Sequence, residues 1–282
     1  MSVQLTWIVE NFSNDQGVVV LTQHIKDKGY NLIELSRTSG YEKSLVQLEN
    51  QCVLFYGSIN MEKLLKESLT TCFPISWCNP KLFECTYYWP IYKNYLFNDK
   101  YTFITLEEFR ENKYKYFDEY AKDAMLFIRP SSGDKSFSGQ LLDLQDFDSF
   151  FEQSSRCLAK ESDIIVISTP KNIQSEFRFF VTYEKKIISK SCYKYQNKTT
   201  SVSGAPTKAT ELVNRILDVG VYPGIVFAID VAQDEDGNFW LLEFNSFNSS
   251  GLYATDKCAI VDEVSRLAIK DYENLINFND ED

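Results

Sequence analysis

Three oxygen-bearing side chains near the carboxyl end of the chain have a spacing that could hold a divalent metal ion. The segments IVFAIDVAQDE and NFWLLEFN flank Asp236-Gly237, a dipeptide typical of tight turns between antiparallel strands. If these two residues form the turn, Asp230 lies directly opposite Glu243, and Asn245 shares their face because side chains alternate along a strand. Two facing carboxylates repel, and magnesium or manganese would remove that penalty with these oxygen ligands.

The same spacing also fits a solvent-facing polar stripe in which the three side chains act independently. A one-residue bulge would send Asp230 to the other face of the sheet. Both interpretations stay open on this pattern alone. Glu243 nevertheless lies between Leu242 and Phe244, and a carboxylate in apolar surroundings needs a compensating charge.

A second candidate site is the segment IRPSSGDKSFSGQLL, in which Arg129 ends an apolar strand and a loop of small residues surrounds Lys135. Small residues let backbone N–H groups approach an anion, and two cations add positive charge, so the segment could bind phosphate. It does not have the GxxxxGK[ST] pattern of a P-loop. An ordinary surface turn is the alternative.

A third pair of candidates lies in the segment SEFRFF. Glu176 and Arg178 alternate with Phe177 and Phe179, so they share one face of a predicted strand. They could form an ion pair on a solvated face. Alternatively, Glu176 could bind a ribose hydroxyl and Arg178 a phosphate or a substrate anion.

The composition narrows the available chemistry. The 282 residues include 40 acidic and 29 basic side chains, a net charge of −11, which argues against a general nucleic-acid-binding surface. A single histidine, His24, argues against Ser-His-Asp or Cys-His catalysis, and seven cysteines without a CxxC pair argue against zinc. Neither a signal peptide nor a membrane span is visible, so we expect a cytoplasmic protein with reduced thiols. Carboxylates, lysines and arginines would then carry any catalysis.

The elements that position these residues form two patterns. Alternating strand and helix signals over residues 1–75 predict a small α/β domain with a parallel sheet. Residues 76–120 predict an aromatic-rich connector and one helix, with the aromatic side chains packed. Residues 121–282 predict an α+β region, in which helices pack on antiparallel strands.

The polar segment 195–208, YQNKTTSVSGAPTK, is predicted to be a loop. With Lys194, Lys198 and Lys208 in or beside it, the loop could close over an acidic substrate, or it could be a mobile linker.

The order of these motifs resembles the ATP-grasp superfamily of carboxylate–amine ligases over roughly residues 120–255. The matching features are Arg129-Pro130, the loop 131–139, a hinge from Ile167 to Pro170, and the triad Asp230, Glu243 and Asn245. Arg129, Lys135 and Arg178 together look like a clade marked by two arginines and one lysine, whose members are mostly assigned as peptide or amide ligases. The segment SFNSSGLY departs from the family pattern because it lacks a frequent proline.

This resemblance implies an α+β ATP-grasp domain that follows the α/β domain and uses ATP with magnesium or manganese. It implies metal binding by Asp230, Glu243 and Asn245. It implies nucleotide binding by Arg129, Lys135, Ser136, Ile167, Ser168, Thr169 and Glu176.

The implied reaction activates a carboxylate as an acyl phosphate, which an amine attacks to give an amide, ADP and phosphate. Arg129, Lys135 and Arg178 would act in catalysis by neutralising the transferring phosphoryl group. Small molecules or peptides would be the substrates, and neither nucleic acid nor membrane is expected as a partner. Two alternatives stay open: a nucleotide-binding regulatory or inactive module of the same fold, and an ATP-dependent phosphotransferase.

Overall fold

A computed structural model describes residues 3–11, 15–35, 48–133, 136–156 and 159–279 of the chain. The N-terminal part consists of β1 (Leu5–Glu10), α1 (Gln16–Asp27), β2 (Asn31–Leu35), β3 (Cys52–Tyr56), α2 (Ile59–Ser68) and β4 (Phe73–Ile75). Its four strands form one parallel sheet in the order β2-β1-β3-β4, here called the N-terminal sheet. The predicted α/β character of this part is confirmed.

Local sequence explains where the N-terminal elements begin. Asp15 caps α1 by accepting a hydrogen bond from the Gly17 amide at 2.8 Å, and Ser58 caps α2 through the Met61 amide. Every residue of β1 and β3 is buried, as expected for central strands of a parallel sheet that is covered on both faces.

A short connector joins this sheet to the rest of the chain. It contains a 3-10 turn, Pro80–Phe83, and α3 (Cys85–Tyr92). Tyr88, Trp89 and Tyr92 of α3 are buried, and the rings of Tyr88 and Phe244 lie 4.8 Å apart. The aromatic side chains of this segment therefore form part of the core.

The second sheet, here called the outer sheet, is antiparallel. It is built from β5 (Tyr101–Thr105), α4 (Leu106–Glu111), α5 (Lys113–Tyr120), β6 (Leu126–Pro130), β7 (Gln140–Leu142), α6 (Phe147–Arg156) and β8 (Ile164–Ser168). Its strand order is β5-β8-β6-β7. The single helix predicted in this region is two helices, because the chain leaves helical geometry at Asn112.

The third sheet, here called the five-stranded sheet, is also antiparallel, with the order β11-β10-β9-β12-β13. Its elements are β9 (Ser175–Thr182), β10 (Ile187–Tyr195), β11 (Lys198–Ser203), α7 (Thr207–Asp218), β12 (Val226–Gln233) and β13 (Phe239–Ser246). The two antiparallel sheets with their helices confirm the predicted α+β character of the second half.

The predicted loop 195–208 is wrong over most of its length, because residues 198–203 form β11. Gln196 and Asn197 both have positive φ, 46° and 60°, and connect Tyr195 to its partner Lys198 as a two-residue turn. Such a turn favours a hairpin over a linker.

The chain ends in α8 (Lys257–Asn279), which returns to the N-terminal sheet. Its buried face, including Val264 and Leu267, shares a hydrophobic cluster with Leu5 and Trp7 of β1, and the Trp7 indole donates a hydrogen bond to the Ser265 hydroxyl at 3.0 Å. The division into residues 1–75, 76–120 and 121–282 stays a prediction, since α8 packs outside its own segment. No helix in the described parts of the chain is long and apolar enough to cross a membrane.

Replacing Leu267 with alanine should lower the free energy of unfolding by about 2–4 kcal/mol, because the side chain is buried between α8 and the N-terminal sheet. The same substitution at Leu275, which is exposed on the same helix, should change it by less than about 0.5 kcal/mol. Urea denaturation measures both. Equal effects would show that α8 does not stabilise the sheet.

Candidate active site

A cleft of about 300 Å³ separates the outer sheet from the five-stranded sheet. From the outer sheet and the loop after β6, its wall includes Phe127, Arg129, Ser132, Phe137, Ser138 and Gly139. From the five-stranded sheet and the segment before it, the wall includes Ile173, Glu176, Tyr193, Lys194, Leu242 and Glu243. Charged groups thus line both sides of the cleft.

The β12–β13 hairpin brings Asp230 opposite Glu243, as predicted, but by a different route. The turn is longer than Asp236-Gly237, because the Asp234 amide donates to the Asn238 carbonyl and Gln233 pairs with Phe239. That register alone would put Asp230 opposite Leu242.

A bulge between Asp230 and Val231 in the pairing of β12 with β13 shifts the register by one residue. Asp230 therefore meets Glu243, and both Leu242 and Glu243 line the cleft. A bulge directs consecutive side chains in a way that strict alternation does not allow.

Asp230 is wholly buried and is paired with Arg178. The guanidinium donates from Nε to Oδ1 at 2.8 Å and from Nη2 to Oδ2 at 2.6 Å, while Nη1 donates to the Gly251 carbonyl at 3.3 Å. Burial alone would lower the pKa of Arg178, but Asp230 raises it, and the net pKa lies above the ordinary arginine value. The pair is therefore fully ionised and held by two charge-assisted bonds.

Aromatic rings enclose this ion pair. The rings of Tyr193 and Tyr253 stack 4.9 Å apart, and the Arg178 Cζ atom lies 5.4 Å and 5.2 Å from their centroids. Cation–π contacts of this kind add to the fixation of a guanidinium.

Glu243 is paired across the cleft with Arg129, whose Nη2 lies 2.9 Å from Oε2. The Asn245 side-chain amide donates to Glu243 Oε1 at 3.0 Å and to Asp230 Oδ2 at 3.1 Å. The three residues of the predicted metal triad thus lie in mutual contact on one face of the sheet. The contact between Arg129 and Glu243 also joins the two sheets.

Glu176 lies next to this cluster and is held by two residues of β10. The Tyr193 hydroxyl donates to Glu176 Oε2 at 2.6 Å and lies 3.4 Å from Asp230 Oδ2, and Lys194 Nζ lies 2.8 Å from Glu176 Oε1. Burial raises the pKa of the Tyr193 phenol well above its ordinary value, and Asp230 and Glu176 add to the shift. Tyr193 therefore keeps its proton and donates it to a carboxylate.

A second bulge explains why Tyr193 and Lys194 both reach the cleft. The pairing of β10 shifts between Cys192 and Lys194 against both of its neighbours, β9 and β11. Residue patterns alone missed Tyr193 and placed Lys194 beside a substrate loop. A bulge leaves no mark on the alternation of residue types, so no sequence signal pointed to either contact.

The arginines change the argument for a metal ion. Repulsion between Asp230 and Glu243 is compensated here by Arg178 and Arg129, so it does not by itself require a cation. Two carboxylates and an amide remain suitable oxygen ligands for Mg²⁺ by type, and they share one face. Within the described residues no group of three or more His, Cys, Asp or Glu side chains could hold a metal.

The other predicted nucleotide-binding residues are placed unevenly. Ile167 is wholly buried in the core of the outer sheet, and its backbone lies in β8, which pairs with β5 and β6. The buried Ser168 hydroxyl has no hydrogen-bond partner among the described residues, and the Thr169 amide donates to the Lys100 carbonyl. Ile173, which lies beyond the predicted hinge, is the residue of this segment that lines the cleft.

The loop after Arg129 is described except for residues 134 and 135, so the predicted role of Lys135 lies outside the described residues. Ser136 is half-buried between the cleft-lining parts of the loop. The start of the loop is anchored at Ser131, whose carbonyl accepts from the Cys85 amide at 2.9 Å and whose hydroxyl accepts from the Thr86 amide at 3.2 Å. The first turn of α3 therefore positions this loop.

Replacing Asp230 with asparagine should lower the free energy of unfolding by about 3 kcal/mol, because it leaves the buried Arg178 guanidinium without a counter-charge. The matched control is Asp218→Asn, which removes a charge from the exposed pair with Lys185 and should have a much smaller effect. Denaturant titration measures both. Equal losses would show that the buried pair is not needed for stability.

A known protein family matches most of the region that carries this cleft. The family model describes an ATP-grasp domain, family 3 of its clade, and matches residues 91–264, more than half of the chain. No curated protein sequence matches the chain.

Solved structures of similar fold include three ATP-grasp ligases. A D-cycloserine synthetase, DcsG, has 10% sequence identity and a TM-score of 0.61, covering 94% of this chain and 99% of that one. D-alanyl-alanine synthetase A from Vibrio cholerae has 10% identity and a TM-score of 0.62, covering 96% and 99%. The ligase PsnB, solved with a minimal precursor, Mg and ADP, has 12% identity and a TM-score of 0.53, covering 94% and 98%.

These structural likenesses show the fold, whereas the family model matches the sequence itself over both antiparallel sheets and the cleft between them. The chain belongs to the ATP-grasp domain family.

Proposed function

We propose that this protein is an ATP-dependent ligase that joins a carboxylate to an amine and releases ADP and phosphate. The observation that carries the proposal is the cleft between the two antiparallel sheets, where Arg129, Glu176, Lys194 and Glu243 meet in a chain of the ATP-grasp family. Phosphoryl transfer depends mainly on positioning and charge neutralisation. A cleft lined by fixed charges is suited to that task.

Each cleft residue has a role in this proposal. Arg129 and Lys135 neutralise the nucleotide phosphates, and Ser136 contributes from the same loop. Glu176, held by Tyr193 and Lys194, accepts from a ribose hydroxyl. Ile167, Ser168 and Thr169 are proposed neighbours of the base, and Ile173 joins them because it lines the cleft.

Asp230, Glu243 and Asn245 would hold Mg²⁺ or Mn²⁺ in this proposal. The ion, when bound, would neutralise charge on the nucleotide phosphates. Arg129 and Arg178 hold the two carboxylates in position before nucleotide arrives. Arg178 itself is fixed by two hydrogen bonds to Asp230, so it is preorganised to stabilise negative charge that develops during transfer.

The substrates we propose are a carboxylate and an amine borne by small molecules or peptides. PsnB, of the same fold, was solved with a minimal precursor, Mg and ADP, and the other two similar structures are synthetases of small products. The likeness supports the class of reaction, and the substrates of this chain are its own.

Glu243→Gln should weaken binding of ATP with magnesium by about tenfold or more, because it removes the charge that faces Arg129 and one proposed metal ligand. Glu273→Gln, on an exposed position of α8, is the matched control and should leave binding unchanged. Isothermal calorimetry measures the affinity.

Retained affinity in Glu243→Gln, or no ATP binding by the wild-type protein, would refute the proposed site. If ATP binds and no pair of carboxylate and amine releases ADP, the protein is a binding module. A phosphorylated product in place of a condensed one, seen by mass spectrometry, would make it a phosphotransferase.

Tyr193→Phe keeps the aromatic stack and removes the hydroxyl that donates to Glu176, so the affinity for ATP should fall by about tenfold. Tyr253→Phe, which trims the other ring of the stack, should change it by less than about threefold. Calorimetry at a fixed magnesium concentration compares the two variants. A larger loss in Tyr253→Phe would contradict the role given to the Tyr193 hydroxyl.

A further inference from the structure

A second cavity, of about 120 Å³, lies on the other side of the carboxylate cluster. Ile59 at the start of α2 and Cys78 and Phe83 of the connector form one part of its wall. Gly133 and Phe244 form another part. The cavity is thus built jointly by the N-terminal part, the connector, the loop after β6 and β13.

The chemistry of this cavity differs from that of the cleft. None of its nine lining residues carries a charge, whereas the cleft is lined by Arg129, Glu176, Lys194 and Glu243. Transfer of a charged group from water into such surroundings without a partner is unfavourable. The cavity therefore selects an uncharged, largely apolar group.

Asn245 links the cavity to the proposed reaction centre. Its side-chain amide contacts Asp230 and Glu243 at 3.1 Å and 3.0 Å, and the residue also lines the cavity. Gly133 belongs to the loop that follows Arg129. A group seated in the cavity would lie beside the place where the phosphoryl group is transferred.

The size of the cavity limits what can enter. An apolar cavity of about 150 Å³ holds a benzene molecule, so 120 Å³ suits a group of roughly three to five carbon atoms. The side chains of alanine, valine and leucine fall in or below this range, whereas that of tryptophan exceeds it.

We propose that this cavity receives the compact apolar side chain of an amino acid, or of a peptide's terminal residue, that serves as one of the two substrates. Ile59 and Cys78 set its size limit, since both are half-buried, while Phe83 and Phe244 belong to the core. This inference rests on the proposed ligase function and adds the substrate class to it.

The placement of the lysines agrees with a neutral side chain. Lys194 is paired with Glu176 in the cleft, and Lys208 lines a different cavity beside α7. Neither lysine lines the cavity beside Asn245. The expectation that a basic loop closes over an acidic substrate therefore finds no support in this structure.

The test measures ADP release by the full chain with ATP, magnesium and pairs of amino acids or amino-acid amides. Alanine, valine and leucine, in both L and D forms, should give at least about tenfold higher kcat/KM than aspartate, glutamate, lysine or tryptophan. Ile59→Ala should raise the relative kcat/KM for phenylalanine over alanine by about tenfold. Ile276→Ala, on the exposed side of α8, is the matched control and should leave this ratio unchanged.

A second measurement reports occupancy without turnover. In protein saturated with ADP and magnesium, a compact apolar substrate should slow alkylation of Cys78 by iodoacetamide, measured by peptide mass mapping. Exposed Cys258 on α8 serves as the internal reference and should react at an unchanged rate. Cys78→Leu, which fills the cavity, should abolish ADP release and leave binding of ATP with magnesium intact.

The outcomes separate this inference from the function on which it rests. Absence of ATP binding overturns both. If ATP binds and ADP is released best with charged or bulky amino acids, or with none in the panel, only the inference is overturned. Unchanged selectivity in Ile59→Ala together with unchanged activity in Cys78→Leu also overturns it.

Discussion

The buried pairing of two carboxylates with two arginines is the constraint on which the rest of this site depends. Asp230 has no exposed surface, and a buried charge without a partner would cost far more than a domain's net stability. Arg178 meets it from the neighbouring strand β9, whereas Arg129 meets Glu243 from the outer sheet. The second pair therefore helps to fix the distance between the sheets, and hence the width of the cleft.

Two β-bulges make this pairing possible. One brings Asp230 opposite Glu243, and the other directs Tyr193 towards Glu176 and Asp230. Both lie in the five-stranded sheet next to the cleft, where a regular ladder would turn one residue of each pair away. The sheet gives up local regularity at two points and in return places four polar side chains in one contact network.

Much of this architecture could be predicted from residue patterns, and the limits have physical causes. Parallel and antiparallel layers follow from the period of apolar residues, and the motif order identified the ATP-grasp family. The pair Asp230–Glu243 was predicted with the wrong turn, because a longer turn and a bulge cancel each other in register. Sequence predicted a cation between the carboxylates, since the charge of an arginine on another sheet is invisible in a local pattern. Lys135 stays a prediction because it lies outside the described residues.

The central claim is that Arg129 and Arg178 hold the carboxylates until nucleotide and metal arrive together. Electron paramagnetic resonance with Mn²⁺ tests it directly, because the signal of the free ion falls as the ion binds. We expect the nucleotide-free protein to bind Mn²⁺ weakly, and the protein with a non-hydrolysable ATP analogue to bind more Mn²⁺ than the analogue does alone. Tight stoichiometric binding of Mn²⁺ by the nucleotide-free protein would contradict the account.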